Sequence, residues 1–263
     1  MKKKRSRKEH VTSWGNVAAW YDKHLEGGDN DTYHEKVIYP NLLRILGDLK
    51  GKHILDLACG QGQFSRTMAR GGAFVVGTDI GKELLAIAEK KSKDYKFKIF
   101  FHNASAHDLY MIKDASQDIV ICILAIQNIE KLHETIAEVS RVLKHDGRFI
   151  VVLNHPTFRI PRESAWGYDE HEKKQYRRVS SYLSESKVKI DMTPGSVKDK
   201  KFTVSFHRPL QVYMKALAKE HLAITRLEEW ISHRRSEGGP RQEVEDTARK
   251  EIPLFMCIET RKI

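Results

Sequence analysis

Cysteine is scarce in this chain and long apolar runs are missing, and each shortage removes a class of protein. Only Cys59, Cys122 and Cys257 occur. Their number is odd and no two stand at Cys-x-x-Cys spacing, so neither a disulfide framework nor a cysteine-held metal is expected. Each falls in or beside an apolar run that reads as a buried strand, which makes them reduced core thiols. No apolar stretch approaches the roughly 20 residues that span a bilayer. The basic N-terminus has no apolar segment behind it and does not read as a secretory signal. No two histidines show metal-ligand spacing, so no metal is expected. No repeat of about 20–50 residues is visible either. A soluble, cytoplasmic globular protein with no membrane partner remains.

Charge is what the chain has in excess. The net value is +11 over 263 residues, and it is unevenly placed. Six lysines and arginines crowd residues 2–8 against Glu9, so 1–12 reads as a disordered basic tail. Residues 11–153 are neutral, and the remaining excess lies beyond Asn154. A basic half can steer anions, small or polymeric; it can equally be an ordinary solvated surface.

Apolar periodicity predicts helices at Trp14–Leu25 and Tyr33–Leu46, the second capped by Thr32. Strands and helices then alternate. Strands are expected at His53–Ala58, Ala73–Asp79, Lys96–His102, Asp118–Leu124 and Arg148–Asn154. Helices fall between them at Phe64–Arg70, Lys82–Lys93 and Lys131–Leu143, with a turn at Asp146-Gly147. This alternation predicts a doubly wound, mostly parallel sheet, because parallel neighbours need helical crossovers. Residues 155–202 break the rhythm. They are polar, basic and aromatic without a clean period, as expected of a lid. A short strand at Thr203–Phe206, a helix at Leu210–His221 opened by Pro209, and strands at Ala223–Trp230 and Leu254–Thr260 follow. The expected organisation is one domain over 13–263, with a core at 33–155, a lid at 156–206 and a closing segment at 207–263.

The most informative run is Ile54-Leu55-Asp56-Leu57-Ala58-Cys59-Gly60-Gln61-Gly62. An apolar strand that stops at close glycines turns sharply into a helix, letting backbone approach a ligand and presenting free helical N–H groups. Val75-Val76-Gly77-Thr78-Asp79 then sets a carboxylate at the tip of a neighbouring strand, suited to ribose hydroxyls. A nicotinamide dinucleotide would want a third glycine, but position 65 is Ser. Asp56 inside the strand would also repel a pyrophosphate, whereas it suits an ammonium.

These segments, with Arg141-Val142-Leu143-Lys144-x-Asp146-Gly147-x-Phe149, resemble the class I S-adenosylmethionine-dependent methyltransferases of the methyltransferase domain 11 type. The resemblance is close over residues 33–155, and the layout of 209–262 also fits. It implies a Rossmann-like α/β fold with a seven-stranded sheet, helices on both faces and a lid insertion after the fifth strand. It implies S-adenosyl-L-methionine as cofactor and S-adenosyl-L-homocysteine as product. Asp56 would hold the methionine ammonium, with Ala58, Gly60 and Gly62 passing under the cofactor. Asp79 would bind the ribose, Ile80 would pack on the adenine, and Asn103, Ala104 and Leu124 would complete the pocket. Asn103 stands where the family has Asp, although its carbonyl can still meet the adenine amino group.

The family's acceptor contacts fall at Gln127, Asn128, Arg159, Trp166, Tyr182 and Trp230. Candidate general bases are His155, at a strand's C-terminal end, and His207. Arg159, Arg162, Arg177, Arg178 and Arg208 interleave with aromatics, either as an anion pocket or as cation–π scaffolding. The leading expectation is methyl transfer to O or N of a small, anionic or aromatic acceptor. An RNA methyltransferase is the rival, favoured by the basic tail and second half. Against it, no Asn-Pro-Pro-Tyr follows the fourth strand, which continues Ala125-Ile126-Gln127-Asn128. A cofactor-binding subunit without turnover is the third reading.

Overall fold

The computed structural model describes residues 14, 18, 31–93, 99–193 and 200–263. The basic tail, most of the Trp14–Leu25 helix expectation and the start of the Lys96–His102 strand lie outside them. Seven strands make the main sheet: β1 His53–Leu57, β2 Phe74–Asp79, β3 Ile99–Asn103, β4 Gln117–Ile123, β5 Leu143–Asn154, β10 Leu222–Trp230 and β11 Phe255–Lys262. Their spatial order is β10-β11-β5-β4-β1-β2-β3. Strand β11 runs antiparallel to both neighbours, while the β5-β4-β1-β2-β3 pairings are all parallel. The chain therefore winds outward in one direction from β1 and in the other from β4. The crevice at the C-terminal ends of these two strands is the switch point where open α/β sheets bind ligands.

Strand residues alternate between two cores, one on each face. Leu55, Val120, Cys122 and Val151 pack with helices α4 (Leu132–Val142) and α5 (Leu210–Lys219). Ile54, Ile121 and Val152 pack with α1 (Tyr39–Leu46) and α2 (Gln63–Arg70). Helix α3 (Lys82–Ser92) follows β2, its N-cap position taken by Gly81. The Glu35 amide donates to Thr32 Oγ1 at 3.2 Å, a helix-capping bond, ahead of one wide helical turn at His34–Ile38. All three cysteines are buried and free.

Two expectations about local structure are corrected. The Asp146-Gly147 turn lies inside β5: pairing with β4 jumps from Gln117↔Leu143 to Ile119↔Arg148, and Asp146 has φ 63°. The aperiodic lid contains two hairpins. Strands β6 (Ser164–Asp169) and β7 (Lys174–Val179) form one; β8 (Ser186–Asp191) and β9 (Phe202–His207) form the other. Neither joins the main sheet. Two-stranded ribbons bury little apolar surface of their own, so Lys, Arg and Ser occupy positions where a core strand would alternate. Between β10 and β11 lies α6 (Gln242–Glu251), which carries Glu243, Glu245, Asp246 and Arg249, while Arg234 and Arg235 precede it.

Candidate active site

Two carboxylates organise the switch point, Asp79 through backbone amides and Asp56 through a side-chain hydroxyl. Asp79 ends β2 and is buried. Its Oδ2 accepts the Gly60 amide at 2.9 Å and its Oδ1 accepts the Gly81 amide at 2.7 Å. One side chain thus ties the turn after β1 to the start of α3. Burial raises its pKa, and the amides of Gly81 and Gly60 partly offset that. Asp56, inside β1, is only 2% exposed and accepts Ser65 Oγ at 2.5 Å. Burial, with Asp79 adding, pushes its pKa up to about 7. It lines a small cleft with His34, Gly60, Gln61 and Phe64.

A larger cavity of about 600 Å³ opens beside it, within the range of cofactor sites. Ala58, Gly60, Asp79 and Ile80 form one wall. Ala104, Ser105 and His107 form a second, and Leu124, Asn128, Ile129 and Lys131 a third. Two non-glycine residues on these walls have left-handed backbone, Ala58 at φ 56° and Leu124 at φ 54°. They end β1 and β4, and such strain concentrates at binding sites because neighbouring structure must hold it.

A model of the methyltransferase domain matches residues 55–151. A demethylmenaquinone methyltransferase of Tropheryma whipplei is 32% identical over 114 residues, 43% of this chain and 46% of that protein. A ubiquinone biosynthesis O-methyltransferase of Sodalis glossinidius is 29% identical over 140 residues, 52% of this chain and 55% of that protein. The match thus spans about half the length of these curated relatives. The crystal structure of an S-adenosylmethionine-dependent methyltransferase from Mesorhizobium loti superimposes with TM-score 0.66 at 26% identity, covering 85% of this chain and 96% of that one. Residues 55–151 are a methyltransferase domain, and the fold around it is that of the S-adenosylmethionine-dependent methyltransferases.

The cofactor of these methyltransferases is S-adenosylmethionine, and the residues present fit it. At Gly60 the backbone has φ 56°, and an added Cβ would meet no protein atom within 4 Å. The space over that turn is open to a ligand. Gln61 Nε2, on the small cleft, is buried with no hydrogen-bond partner among the described residues, a polar group that a polar ligand could satisfy. Asn103 donates its amide to the carbonyls of Asp79 and Ile80, both at 3.0 Å, which leaves its own carbonyl oxygen without a bond among the described residues.

The remaining sequence-based candidates sit elsewhere in the methyltransferase fold. Gly62 supports the turn from below: a Cβ there would meet Phe101 Cζ at 2.9 Å and Ala88 Cβ at 3.0 Å. Gln127 is buried behind the third wall, donating to the Leu124 carbonyl at 2.9 Å. His155 is 4% exposed with both ring nitrogens engaged: Nδ1 accepts the Thr157 amide at 3.3 Å and Nε2 meets Glu229 Oε1 at 2.7 Å. Burial lowers its pKa more than Glu229 raises it, so a neutral ring donating from Nε2 describes this pair. His207 Nε2 bonds the Tyr182 carbonyl at 2.8 Å, and the Tyr182 hydroxyl accepts the Leu210 amide at 3.0 Å. Trp230 is a core residue whose Nε1 donates to Glu228 Oε2 at 3.1 Å. Trp166 and Arg159 belong to the first hairpin region.

The sequence reading passed over Ser105, His107, Ile129 and Lys131 on the cavity wall. Their only signal was adjacency to Asn103-Ala104 and Gln127-Asn128. It named Arg208 but not its task. Arg208 Nη2 donates to the Ile129 and Glu130 carbonyls, both at 2.8 Å, and Lys187 of β8 pairs with Glu130 at 3.0 Å. The second hairpin is thereby fastened to the third wall.

Proposed function

We propose that this methyltransferase moves a methyl group from S-adenosylmethionine to O or N of a small-molecule acceptor. The observation that carries the reading is the attachment of the β8–β9 hairpin to the cavity wall through Arg208 and Lys187, which sets the insertion against the pocket. The demethylmenaquinone and ubiquinone-biosynthesis methyltransferases among the relatives point the same way. The rival RNA reading leaned on the basic tail, which lies outside the described residues. It also leaned on second-half arginines, several of which stack on Trp166, Phe206 and Tyr33.

In this reading Asp56 takes the methionine ammonium and Asp79 the ribose hydroxyls. Ile80 packs on the adenine, and the Asn103 carbonyl faces its amino group. The sulfonium supplies an activated methyl with a neutral leaving group. The protein's work is then to align the nucleophile and exclude water. A base is needed only where the nucleophile's proton must leave early. Residues 156–206 would frame the acceptor, and 207–263 complete the sheet of a single domain. The test is calorimetry with S-adenosylmethionine, followed by methyl-transfer assays on phenols, quinols and small amines beside total RNA. Failure to bind the cofactor sinks the reading; methyl incorporation into RNA alone moves it to the rival.

A further inference from the structure

We propose that Arg159 and Arg177, which share the Trp166 ring, form with Arg249 of the neighbouring helix a site for an oxyanion, a carboxylate or phosphate carried by the acceptor. The word acceptor rests on the methyl-transfer reading; the oxyanion site itself stands on the geometry.

The three arginines come from separate segments. Arg159 lies in the first turn after β5, its amide bonded to the His155 carbonyl at 2.9 Å. Arg177 lies on β7 and Arg249 on α6, which packs against β7. The guanidiniums of Arg159 and Arg177 stand 5.9 and 5.2 Å from the Trp166 ring centre. Arg177 spends Nε on the Phe158 carbonyl and one terminal nitrogen on Ser164. Arg249 Nε donates to Ser236 Oγ at 3.0 Å.

No carboxylate joins them among the described residues. Arg159 Nε is buried without an acceptor, and its side chain makes no hydrogen bond or ion pair among the described residues. Burial first, then Arg177, drive its pKa down to about 10, and Arg249 adds to the effect. Burial also lowers Arg177. Several arginines elsewhere are paired with carboxylates, among them Arg241 with Glu170, Arg226 with Glu259 and Arg148 with Glu259. A partly buried cluster of like charge is costly unless something neutralises it, and a planar oxyanion matches the free guanidinium donors.

The cluster also lies on the cofactor's edge of the sheet. Tyr33, one residue before the cleft-lining His34, meets Phe255 edge-on with ring centres 5.6 Å apart, and Phe255 pairs with Asn154 at the end of β5, just ahead of the turn that carries Arg159. Acceptor contacts are expected beside the methionine end of the cofactor, and Asp56 marks that end in the proposed pose.

The experiment uses the full chain with saturating S-adenosylhomocysteine, titrated with inorganic phosphate and, separately, benzoate. Thermal melting and calorimetry are the readouts. At ten times its Kd a probe should raise Tm by about 3 °C, since it weights the folded state roughly elevenfold. Arg159→Gln should lose at least tenfold in probe affinity and melt no lower than the parent without probe. It is the variant of choice because the Arg159 side chain holds no backbone carbonyl, unlike Arg177. Arg241→Gln, on the outer Glu170 pair, should respond like the parent. Tighter benzoate assigns a carboxylate, tighter phosphate a phosphoryl group. No saturable response to either probe, or an unchanged Arg159→Gln, overturns the site even where S-adenosylhomocysteine binds normally. Steeply salt-dependent RNA binding lost in Arg159→Gln overturns it in favour of a nucleic-acid backbone. Failure of S-adenosylhomocysteine to bind falsifies the methyltransferase reading instead, and phosphate alone still reports on the cluster.

Discussion

The cofactor edge and the insertion beside it solve opposite electrostatic problems with different materials. At the switch point the charges are carboxylates, and backbone amides of nearby residues hold them: Gly81 and Gly60 on Asp79. In the insertion the charges are guanidiniums, held by aromatic faces and distant carbonyls: Trp166 under Arg159 and Arg177, Ile129 and Glu130 on Arg208. Amide cradles are rigid and specify one ligand shape. Cation–π contacts tolerate replacement, which suits a region that must differ with each acceptor.

The sharpest way to break the contrast is Asp79→Ala. It removes the group that joins the Gly60 turn to α3 and faces the expected ribose. S-adenosylmethionine affinity should fall by roughly 1–3 kcal/mol, up to about a hundredfold, the range for charge-assisted hydrogen bonds. Calorimetry showing unchanged affinity would mean that the cofactor does not lie along β2.

Next in size is the pH response of Asp56. Its carboxyl titrates near 7 in the fold because burial dominates. Below that value the group is neutral and a ligand ammonium loses its partner. Between pH 8 and pH 6 cofactor affinity should drop about tenfold, the change in the ionised fraction across a pKa near 7. Stability without ligand runs the other way. The folded pKa lies above the unfolded value of about 3.9, so Asp56 costs stability as pH rises from about 4 to 7. Asp56→Asn should flatten both trends, read as differences from the parent so that other carboxylates cancel. An affinity independent of pH between 6 and 8 would remove Asp56 from the ammonium.

Arg208→Ala probes the insertion side. Losing its two carbonyl contacts frees the Ile129–Glu130 wall, so a several-fold rise in acceptor KM is expected with little change in cofactor Kd. Equal losses in both constants would show the two regions to be one unit.

These regions also differ in how far the sequence discloses them. Helix and strand order was legible because Ile54, Leu55, Val120, Ile121 and Val151 are fully or almost fully buried and carry strand periodicity without help. The glycine turn was legible because its partners lie within twenty-odd residues and use few residue types. Strands β6 to β8 were not, although the Thr203–Phe206 run did announce β9: β7 and β8 alternate exposed and half-buried positions, so polar residues mask their period. Nor could sequence say that Arg208 meets Ile129, 79 residues away. Such contacts depend on how the hairpin docks, and no local pattern encodes that. The cavity wall at Ser105 and His107 was hidden for a third reason, since a loop residue next to a motif looks like any other turn residue.

His155 is where the two regions meet, and its substitution should have the smallest effect. The strand-end position suggested a general base, but a base needs a free lone pair aimed at substrate. In the described geometry Nδ1 already accepts the Thr157 amide and Nε2 faces Glu229. The ring packs on Phe158, 4.8 Å away between centres, just before Arg159. Its work in this arrangement is to set the start of the insertion. His155→Gln keeps a donor for Glu229 and should leave turnover within about threefold, while Tm falls by about 2–4 °C for the roughly 1 kcal/mol of a lost buried contact. A fall in turnover beyond a hundredfold with unchanged cofactor affinity, together with loss of an acidic limb in the pH–rate profile, would restore the base. It would then require the Thr157 contact to open when the acceptor binds, and the insertion to move with it.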